Sequence, residues 1–230
     1  MSDEALLPPE GFRQRGPLPR ATRLLMIRHG ECVANAKGLA GGPLGDGGLT
    51  DLGRAQATDL AIRLSITGEL EAASAFYTST LPRAMETGDI VFPAINARLT
   101  PATDEDLCEL GVGEADGLSW PEVAAKYTLP DWSVDPFAPN VPGGESLMGF
   151  FNRCVAAIDR LVARHRNELV VMVVHGGFIE QAMKHYQGLS GAVRLRPRIE
   201  NCSMTEIEYG FEGDRQRLLR YNDLSPIGVA

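Results

Sequence analysis

The sequence predicts an α/β fold of three layers, in which helices cover both faces of a mostly parallel central sheet. Two continuous apolar runs, residues 24–27 and 169–174, have the character of strands that are buried on both faces. Segments with helical periodicity separate the strand candidates, and this alternation is typical of parallel sheets with crossover helices. No internal repeat of about 20 to 50 residues is visible, which excludes solenoids and propellers.

The first half of the chain shows clear start signals for helices. After a glycine-rich loop, residues 38–48, Thr50 has the residue type and position of a helix N-cap. This helix is predicted to run to about Ser65, because apolar residues recur at helical spacing at Ala57, Leu60, Ala61 and Leu64. Residues 75–78 predict a second strand, and Thr80 is expected to cap the helix that follows it.

The second half continues the alternation. Residues 97–100 are a candidate third strand, and Ser119 with Glu122 has the spacing of a capping box. Long helices are predicted over residues 146–166 and 178–187.

An antiparallel hairpin, residues 204–209 and 217–221, is expected to close the fold. We expect an irregular arm over residues 1–21 and one catalytic domain over residues 22–230, with a short cap around residues 117–145.

The charge balance argues against two classes of partner. The chain has 22 Lys and Arg against 30 Asp and Glu, a net charge of −8. Proteins that bind nucleic acids or anionic membranes are normally basic, so neither partner is expected. The four cysteines form no C-x-x-C pair, and no apolar stretch has the length of a membrane span. We therefore predict a cytoplasmic protein, whose oligomeric state the sequence leaves open.

Basic and imidazole side chains follow the predicted strands at their carboxyl ends. Arg28 and His29 follow the first strand, Arg83 comes shortly after the second, and His175 with Gly176 follows the most apolar one. Ligands of open α/β sheets bind at this edge. Two guanidiniums can grip phosphate oxygens, a neutral imidazole can attack phosphorus, and a second imidazole can donate to its oxygens.

Phosphoryl transfer to an imidazole also needs an acid that protonates the leaving alcohol. The residues alone leave several carboxylates open for this role, namely Glu105, Asp106, Glu109 and Glu114.

Six sequence blocks occur in an order that resembles the histidine phosphatase superfamily, which has the phosphoglycerate-mutase-like fold. The blocks are LLMIRHGECVAN at 24–35, LTDLGRAQ at 49–56, YTSTLPRAMET at 77–87, LCELGVGEADG at 107–117, GGES at 143–146 and VVHGG at 173–177. The resemblance implies phosphatase chemistry on a small phosphate monoester, without a metal or other cofactor.

The resemblance also implies a role for each matched residue. His29 would be the nucleophile that carries a phosphohistidine. Glu109 would protonate the leaving group and later activate water. Contacts to the phosphoryl group are implied for Arg28, Asn35, Arg83, His175 and Gly176.

Four positions depart from the family pattern. Cys32 stands where Ser or Thr is usual, and it either alters a hydrogen bond at the phosphate pocket or only packs. Thr80 replaces a common Pro, Glu86 a common Gln, and Glu180 a frequent Arg. The two glutamates add negative charge near the predicted site and leave the substrate open.

Other side chains keep two interpretations or are expected outside the site. Asn35 contacts phosphate or is a turn residue, and three aromatic residues pack or line a cap: Trp120, Trp132 and Phe137. Three arginines are solvated or contact a second anion: Arg194, Arg196 and Arg198. His165 and His185 lie among polar residues and are expected at the surface.

Three functions are compatible with these observations. The first is hydrolysis of small phosphate monoesters. The second is a phosphoglycerate-type mutase, but the W-N and F-T-G-W elements that follow R-H-G in such mutases are missing and the cap is short. The third is a phosphate-binding module without turnover, against which the presence of His29, Arg83 and Glu109 argues.

Overall fold

The computed structural model describes residues 21–96, 98–210 and 216–224. Within these ranges the six strands of one sheet are β1 (Ala21–Arg28), β2 (Ala73–Thr78), β3 (Ala102–Thr103), β4 (Leu169–Val174), β5 (Met204–Gly210) and β6 (Gln216–Asp223). They lie in the order β3-β2-β4-β1-β5-β6, in which the first four strands pair in parallel and β5 and β6 pair antiparallel. The prediction of a mostly parallel sheet is confirmed.

Helices cover both faces of this sheet. The described ranges contain α1 (Val33–Lys37), α2 (Asp51–Thr67), α3 (Pro82–Val91), α4 (Trp120–Lys126), α5 (Leu147–Arg164) and α6 (Gly176–Tyr186), of which α2, α3, α5 and α6 pack on the sheet. Side chains alternate between the faces of β1, since Leu25 and Ile27 belong to the apolar core under α2 and α3, whereas Leu24 and Met26 belong to the core under α5 and α6. The three-layer architecture is confirmed.

Two of the predicted N-caps form, with side-chain oxygens that accept free amides of the first turn. Thr50 accepts from the Gly53 amide. Ser146, predicted as the first residue of its helix, is instead the N-cap of α5 and accepts from the Gly149 amide. Ser119 and Glu122 form both bonds of a capping box. Helix α6 begins at Gly176 rather than 178. His175, which follows the last residue of β4, still has extended backbone and is the N-cap of the helix.

The prediction that Thr80 caps α3 is wrong. Leu81 is the N-cap and makes no side-chain capping bond, whereas Oδ1 of Asp46 accepts from the Arg83 amide at 3.0 Å. The hydroxyl of Thr80 lies instead 3.1 Å from the Cys108 sulfur. A carboxylate from a distant loop therefore replaces the local cap.

The third strand also lies later than predicted, at Ala102–Thr103. Residue 97 lies outside the described residues, and Arg98 donates its amide to the side chain of Asn96 in a turn. This local side-chain bond favours a turn over a strand at residues 98–100.

Two histidines differ from their predicted surface positions. His165 is buried, with Nε2 2.9 Å from the Tyr77 hydroxyl and Nδ1 2.7 Å from Glu168. His185 is half-buried and stacks on the Tyr209 ring. The surface prediction rested on polar neighbours in the sequence. It was wrong because Tyr77 and Tyr209, which cover these rings, come from other elements.

The chain ends fit the predictions in part. The antiparallel pairing of β5 and β6 is confirmed, although residues 211–215 between them lie outside the described residues. Residues 1–20 of the predicted arm also lie outside them, and Ala21 already belongs to β1. Among the helices of the described ranges, none has the length and apolarity to cross a bilayer.

Candidate active site

Strands β1 and β4 end side by side, which brings two histidines together. Arg28 and Val174 are register partners in this parallel pair, so the next residues, His29 and His175, leave adjacent strands at the same edge. Their ring centroids lie 5.1 Å apart and both side chains are buried. The convergence expected from the sequence is present.

The turn after β1 is held by close backbone contact with α2. A Cβ built on Gly30 would lie 2.5 Å from the Gly53 carbonyl oxygen, and one on Gly53 would lie 2.0 Å from that of Glu31. Only glycine permits such an approach. Thr87 completes the turn by accepting the Gly30 amide at 3.0 Å. These contacts explain physically why the blocks at 24–35, 49–56 and 77–87 occur together.

The contact of His29 with Gly30 defines its tautomer. Nδ1 lies 2.7 Å from the Gly30 carbonyl oxygen, and a carbonyl oxygen only accepts, so Nδ1 carries the proton. Burial, with the charges of Arg83 and Arg28, holds the pKa of His29 well below its ordinary value and outweighs the opposing effect of the Gly30 bond. The ring is therefore neutral at pH 7, with a lone pair on Nε2.

His175 is fixed through both ring nitrogens. Nε of Arg83 donates to Nδ1 at 3.2 Å, so Nε2 carries the proton and faces the Ser79 hydroxyl at 2.6 Å. Burial, followed by the charges of Arg83, His29 and Arg28, holds the pKa of His175 well below its usual range. His175 packs beside the His29 ring but is not among the residues that line the cavity, whereas its neighbours Gly176 and Gly177 are.

Arg83 is buried and anchored by the glycine-rich loop. Its Nη1 donates to Oδ2 of Asp46 at 2.5 Å and to the Gly41 carbonyl at 2.9 Å. The Asp46 side chain is 1% exposed. This ion pair compensates the cost of burying both charges and orients the guanidinium toward His175.

Arg28 supplies a second guanidinium to the cavity. Its Nη1 donates to the Ile199 carbonyl, whereas its Nε is buried and has no hydrogen-bond partner among the described residues. A Cβ on Gly176 would lie 3.5 Å from this Nε. Burial lowers the pKa of Arg28, and the charge of Glu109 opposes that shift. The unpartnered N–H fits an anion bound between Arg28, Arg83 and the two histidines.

Glu109 reaches the same cavity from the loop after β3. Its Oε2 accepts from the Gly177 amide at 2.9 Å and its Oε1 from the Leu110 amide at 3.0 Å. Asp106 pairs instead with Arg160, Glu114 contacts the Tyr127 hydroxyl, and Glu105 is exposed; Glu109 is the one of these four carboxylates that lines the cavity. Geometry therefore selects Glu109 as the carboxyl group beside the histidines.

Asn35 lines the cavity at the start of α1 and is tied to Cys32. The Cys32 sulfur accepts from the Asn35 amide at 3.4 Å and donates to its Oδ1 at 3.0 Å. Burial raises the pKa of this thiol, so it keeps the proton that it donates. Cys32 thus makes a hydrogen bond next to the cavity as well as packing, and all four cysteines are free.

The cavity has a volume of about 510 Å³, which exceeds the space that a phosphate ion fills. Trp120 and Trp132 line it, whereas Phe137 is 69% exposed. Arg194 and Arg196 lie at its wall, and Arg198 pairs with Glu200 instead. Within the described ranges, no group of three or more His, Cys, Asp or Glu side chains could hold a metal ion.

Two contributors to the site were missed in the sequence. Ser79 lies inside the block at 77–87, so its position next to the strand end was a usable signal. Asp46 is a single acid among glycines, and nothing in its neighbourhood indicates a partner 37 residues away.

Comparisons with known proteins agree with this geometry. The model of the histidine phosphatase superfamily (branch 1) matches residues 24–224. The chain is 34% identical over 210 residues to phosphoglycerate mutase-like protein 4 of Arabidopsis thaliana, covering 88% of this chain and 85% of that protein. It is 32% identical over 181 residues to the metal-independent phosphoserine phosphatase of the same plant, covering 76% of this chain and 72% of that protein.

Solved structures show the same fold. Bacillus stearothermophilus YhfR superposes with a TM-score of 0.73 at 30% identity, covering 89% of this chain and 98% of that one. A mycobacterial glucosyl-3-phosphoglycerate phosphatase in complex with VO3 gives a TM-score of 0.70 at 27% identity, covering 87% and 98%. From its site geometry, its fold and the family match, this chain belongs to the histidine phosphatase superfamily.

Proposed function

We propose that this protein hydrolyses small phosphate monoesters through a phosphohistidine on His29. The observation that carries the proposal is the neutral, buried His29, whose protonated Nδ1 is held by Gly30 and whose Nε2 is free to attack. Relatives named as a metal-independent phosphoserine phosphatase and a glucosyl-3-phosphoglycerate phosphatase support this class of reaction.

In the first step, Nε2 of His29 attacks phosphorus and the bond to the alcohol oxygen breaks. Arg28 and Arg83 offset the charge on the phosphoryl oxygens, with Asn35 beside them. His175, held by Arg83 and Ser79, packs beside His29 and helps to fix these side chains. Protonated Glu109 gives its proton to the departing oxygen.

In the second step, water attacks the phosphohistidine and Glu109 takes up the proton that the water loses. The nitrogen–phosphorus bond breaks, phosphate leaves, and His29 returns to its neutral state. Because one carboxyl group serves both steps, Glu109 must lie beside the bridging oxygen of the ester, and its bond to Gly177 at the cavity wall supports this position.

The cap remains a proposal. Trp120 and Trp132, from residues 117–145, line the cavity and support a cap that contacts the organic part of the substrate. The cytoplasmic location and the lack of nucleic-acid or membrane partners stay predictions from the sequence.

The test is release of p-nitrophenol from p-nitrophenyl phosphate in the presence of EDTA, for the wild type, His29→Ala and His185→Ala. We expect turnover in the wild type and His185→Ala, and its loss in His29→Ala. His185 is the matched control because it lies outside the cavity and pairs with Asp159.

Two results would overturn the proposal. Phosphate or vanadate binding without any turnover would indicate a binding module. Phosphoryl exchange between phosphoglycerates that needs bisphosphoglycerate, with little phosphate released, would indicate a mutase.

A further inference from the structure

One wall of the cavity is formed by a charged face of α6 that the two reaction steps do not use. Glu180, Gln181 and Lys184 line the cavity together with Gly177. Their spacings of three and four residues place them on one face of the helix. The side chain of Lys184 is 1% exposed and that of Glu180 is 25% exposed.

This face lies on the leaving-group side of the cavity. The Gly177 amide binds Glu109, the acid assigned to the leaving oxygen. Glu180 follows three residues later, roughly 5 Å further along the helix axis. The organic part of an ester whose bridging oxygen lies at Glu109 therefore extends toward Glu180.

The buried ammonium of Lys184 is fully engaged within the protein. Its Nζ lies 2.8 Å from Oε1 of Glu180, 3.2 Å from Oε1 of Gln181 and 3.4 Å from the Gly191 carbonyl. Three acceptors match the three N–H groups of an ammonium. The group that this wall offers to a substrate is consequently the more exposed carboxylate of Glu180.

We infer that Glu180 determines specificity by selecting phosphate monoesters whose organic part presents hydroxyl or ammonium donors and by disfavouring those that carry a carboxylate. A carboxylate accepts hydrogen bonds only and repels a second carboxylate. The inference rests on the proposed phosphatase function.

Two arginines at the rim of the cavity attract a substrate carboxylate, but more weakly than Glu180 repels it. Arg194 and Arg196 also line the cavity and attract anions. Both are exposed, so water and salt screen their charges more than those of the half-buried Glu180 and the buried Lys184.

The test compares glycerol 3-phosphate with 3-phosphoglycerate, which differ in whether the far carbon is an alcohol or a carboxylate. Phosphate release gives kcat/KM for each, and their ratio cancels any general loss of activity. We expect the wild type to favour glycerol 3-phosphate. Glu180→Gln should reduce that preference about tenfold, because it removes the repulsion and leaves Lys184 uncompensated.

Glu71→Gln is the matched control. It removes the same charge from an exposed position in the turn between α2 and β2, and should keep the wild-type ratio. If Glu180→Gln fails to fold, Lys184→Met provides a second test, since it removes the compensating cation and should widen the preference.

The outcomes separate the inference from the proposed function. A wild-type preference for 3-phosphoglycerate, or an equal ratio in the wild type and Glu180→Gln, overturns the inference. Turnover of p-nitrophenyl phosphate with neither test ester hydrolysed overturns the inference alone. No turnover of any of the three esters overturns the proposed function, and the inference with it.

Discussion

The carboxylate of Asp46 holds Arg83 at two points, the backbone amide at 3.0 Å and the guanidinium at 2.5 Å. Both side chains are almost fully buried. This one loop residue thus caps the first turn of helix α3 and orients the guanidinium that donates to His175. Asp46 is therefore a positioning residue, because it acts on the site through Arg83.

Asp46→Asn should lower kcat/KM for p-nitrophenyl phosphate by about tenfold or more and weaken phosphate binding. The amide side chain can still accept the Arg83 amide, but the buried guanidinium loses its counter-charge, at a cost in unfolding free energy of about 3 kcal/mol. Inhibition by phosphate and urea unfolding measure the two effects.

Asp116→Asn is the control for Asp46→Asn. Asp116 binds the amides of Gly42, Leu44 and Gly45 in the same loop without a contact to Arg83. Asp116→Asn should weaken phosphate binding less than Asp46→Asn does. A fall in stability of Asp46→Asn with unchanged phosphate affinity would show that Asp46 has only a structural role.

Glu109→Gln should separate substrates by their leaving groups. An alkyl phosphate needs protonation of its departing oxygen, so its kcat/KM should fall about 100-fold, whereas p-nitrophenyl phosphate should lose less than about tenfold. The parameter kcat is less informative, since both esters share hydrolysis of the phosphohistidine. Equal losses in kcat/KM would exclude Glu109 as the acid.

Gly177→Ala should impair protonation of the leaving oxygen while the Glu109 side chain itself is retained. The new Cβ would lie 2.1 Å from Oε1 of Glu109, so the whole carboxylate must move and its Oε2 must leave the Gly177 amide. The carboxyl group ends a flexible side chain, so the fold tolerates the move. We expect the ratio of kcat/KM for alkyl and p-nitrophenyl phosphates to fall about tenfold, within the contribution of a general acid.

Gly176→Ala provides the comparison for this substitution. Its Cβ would be 3.5 Å from Nε of Arg28, an ordinary contact. The ratio between the two esters should change less than in Gly177→Ala. Equal ratios in both variants would refute the displacement of Glu109.

The two histidines of the site, His29 and His175, predict a loss of stability in mild acid. Their folded pKa values lie well below the ordinary 6.5, so below pH 6.5 the unfolded chain takes up protons that the folded chain does not. Their contribution to stability is complete above pH 6.5 and is lost as the pH falls toward the folded pKa values. At pH 5.5 each histidine should lower the free energy of unfolding by about 1 kcal/mol.

Urea unfolding between pH 7.5 and 5.5 measures this slope, and His29→Asn should show a shallower one because it removes one of the two groups. Nitrogen NMR of the imidazole rings reports the protonation state directly. Half-protonation of His29 at pH 6.5 in the folded protein would contradict the assignment of a neutral nucleophile.

Much of the fold and of the candidate site could be predicted because the signals are local. The apolar runs of β1 and β4, and the caps Thr50, Ser119 and Ser146, lie within a few residues of the structure that they specify. The same is true of His29 and His175, since a residue that follows a strand leaves the sheet at a known edge.

Partners that come from distant segments could not be predicted in this way. Thr80 had the right type for a cap, yet Asp46 acts there from 37 residues away. His165 looked polar in its own helix and is buried against Tyr77, which lies 88 residues earlier in the chain.

By itself the sequence determined which residues form the buried strands, where most helices begin, and which histidines and arginines meet at the sheet edge. Only the tertiary structure decided the tautomers of His29 and His175, the anchoring of Arg83 by Asp46, and the cavity wall formed by Glu180 and Lys184. The physical reason is that periodicity and capping act between near neighbours, whereas burial and charge pairing depend on which loops and helices pack together.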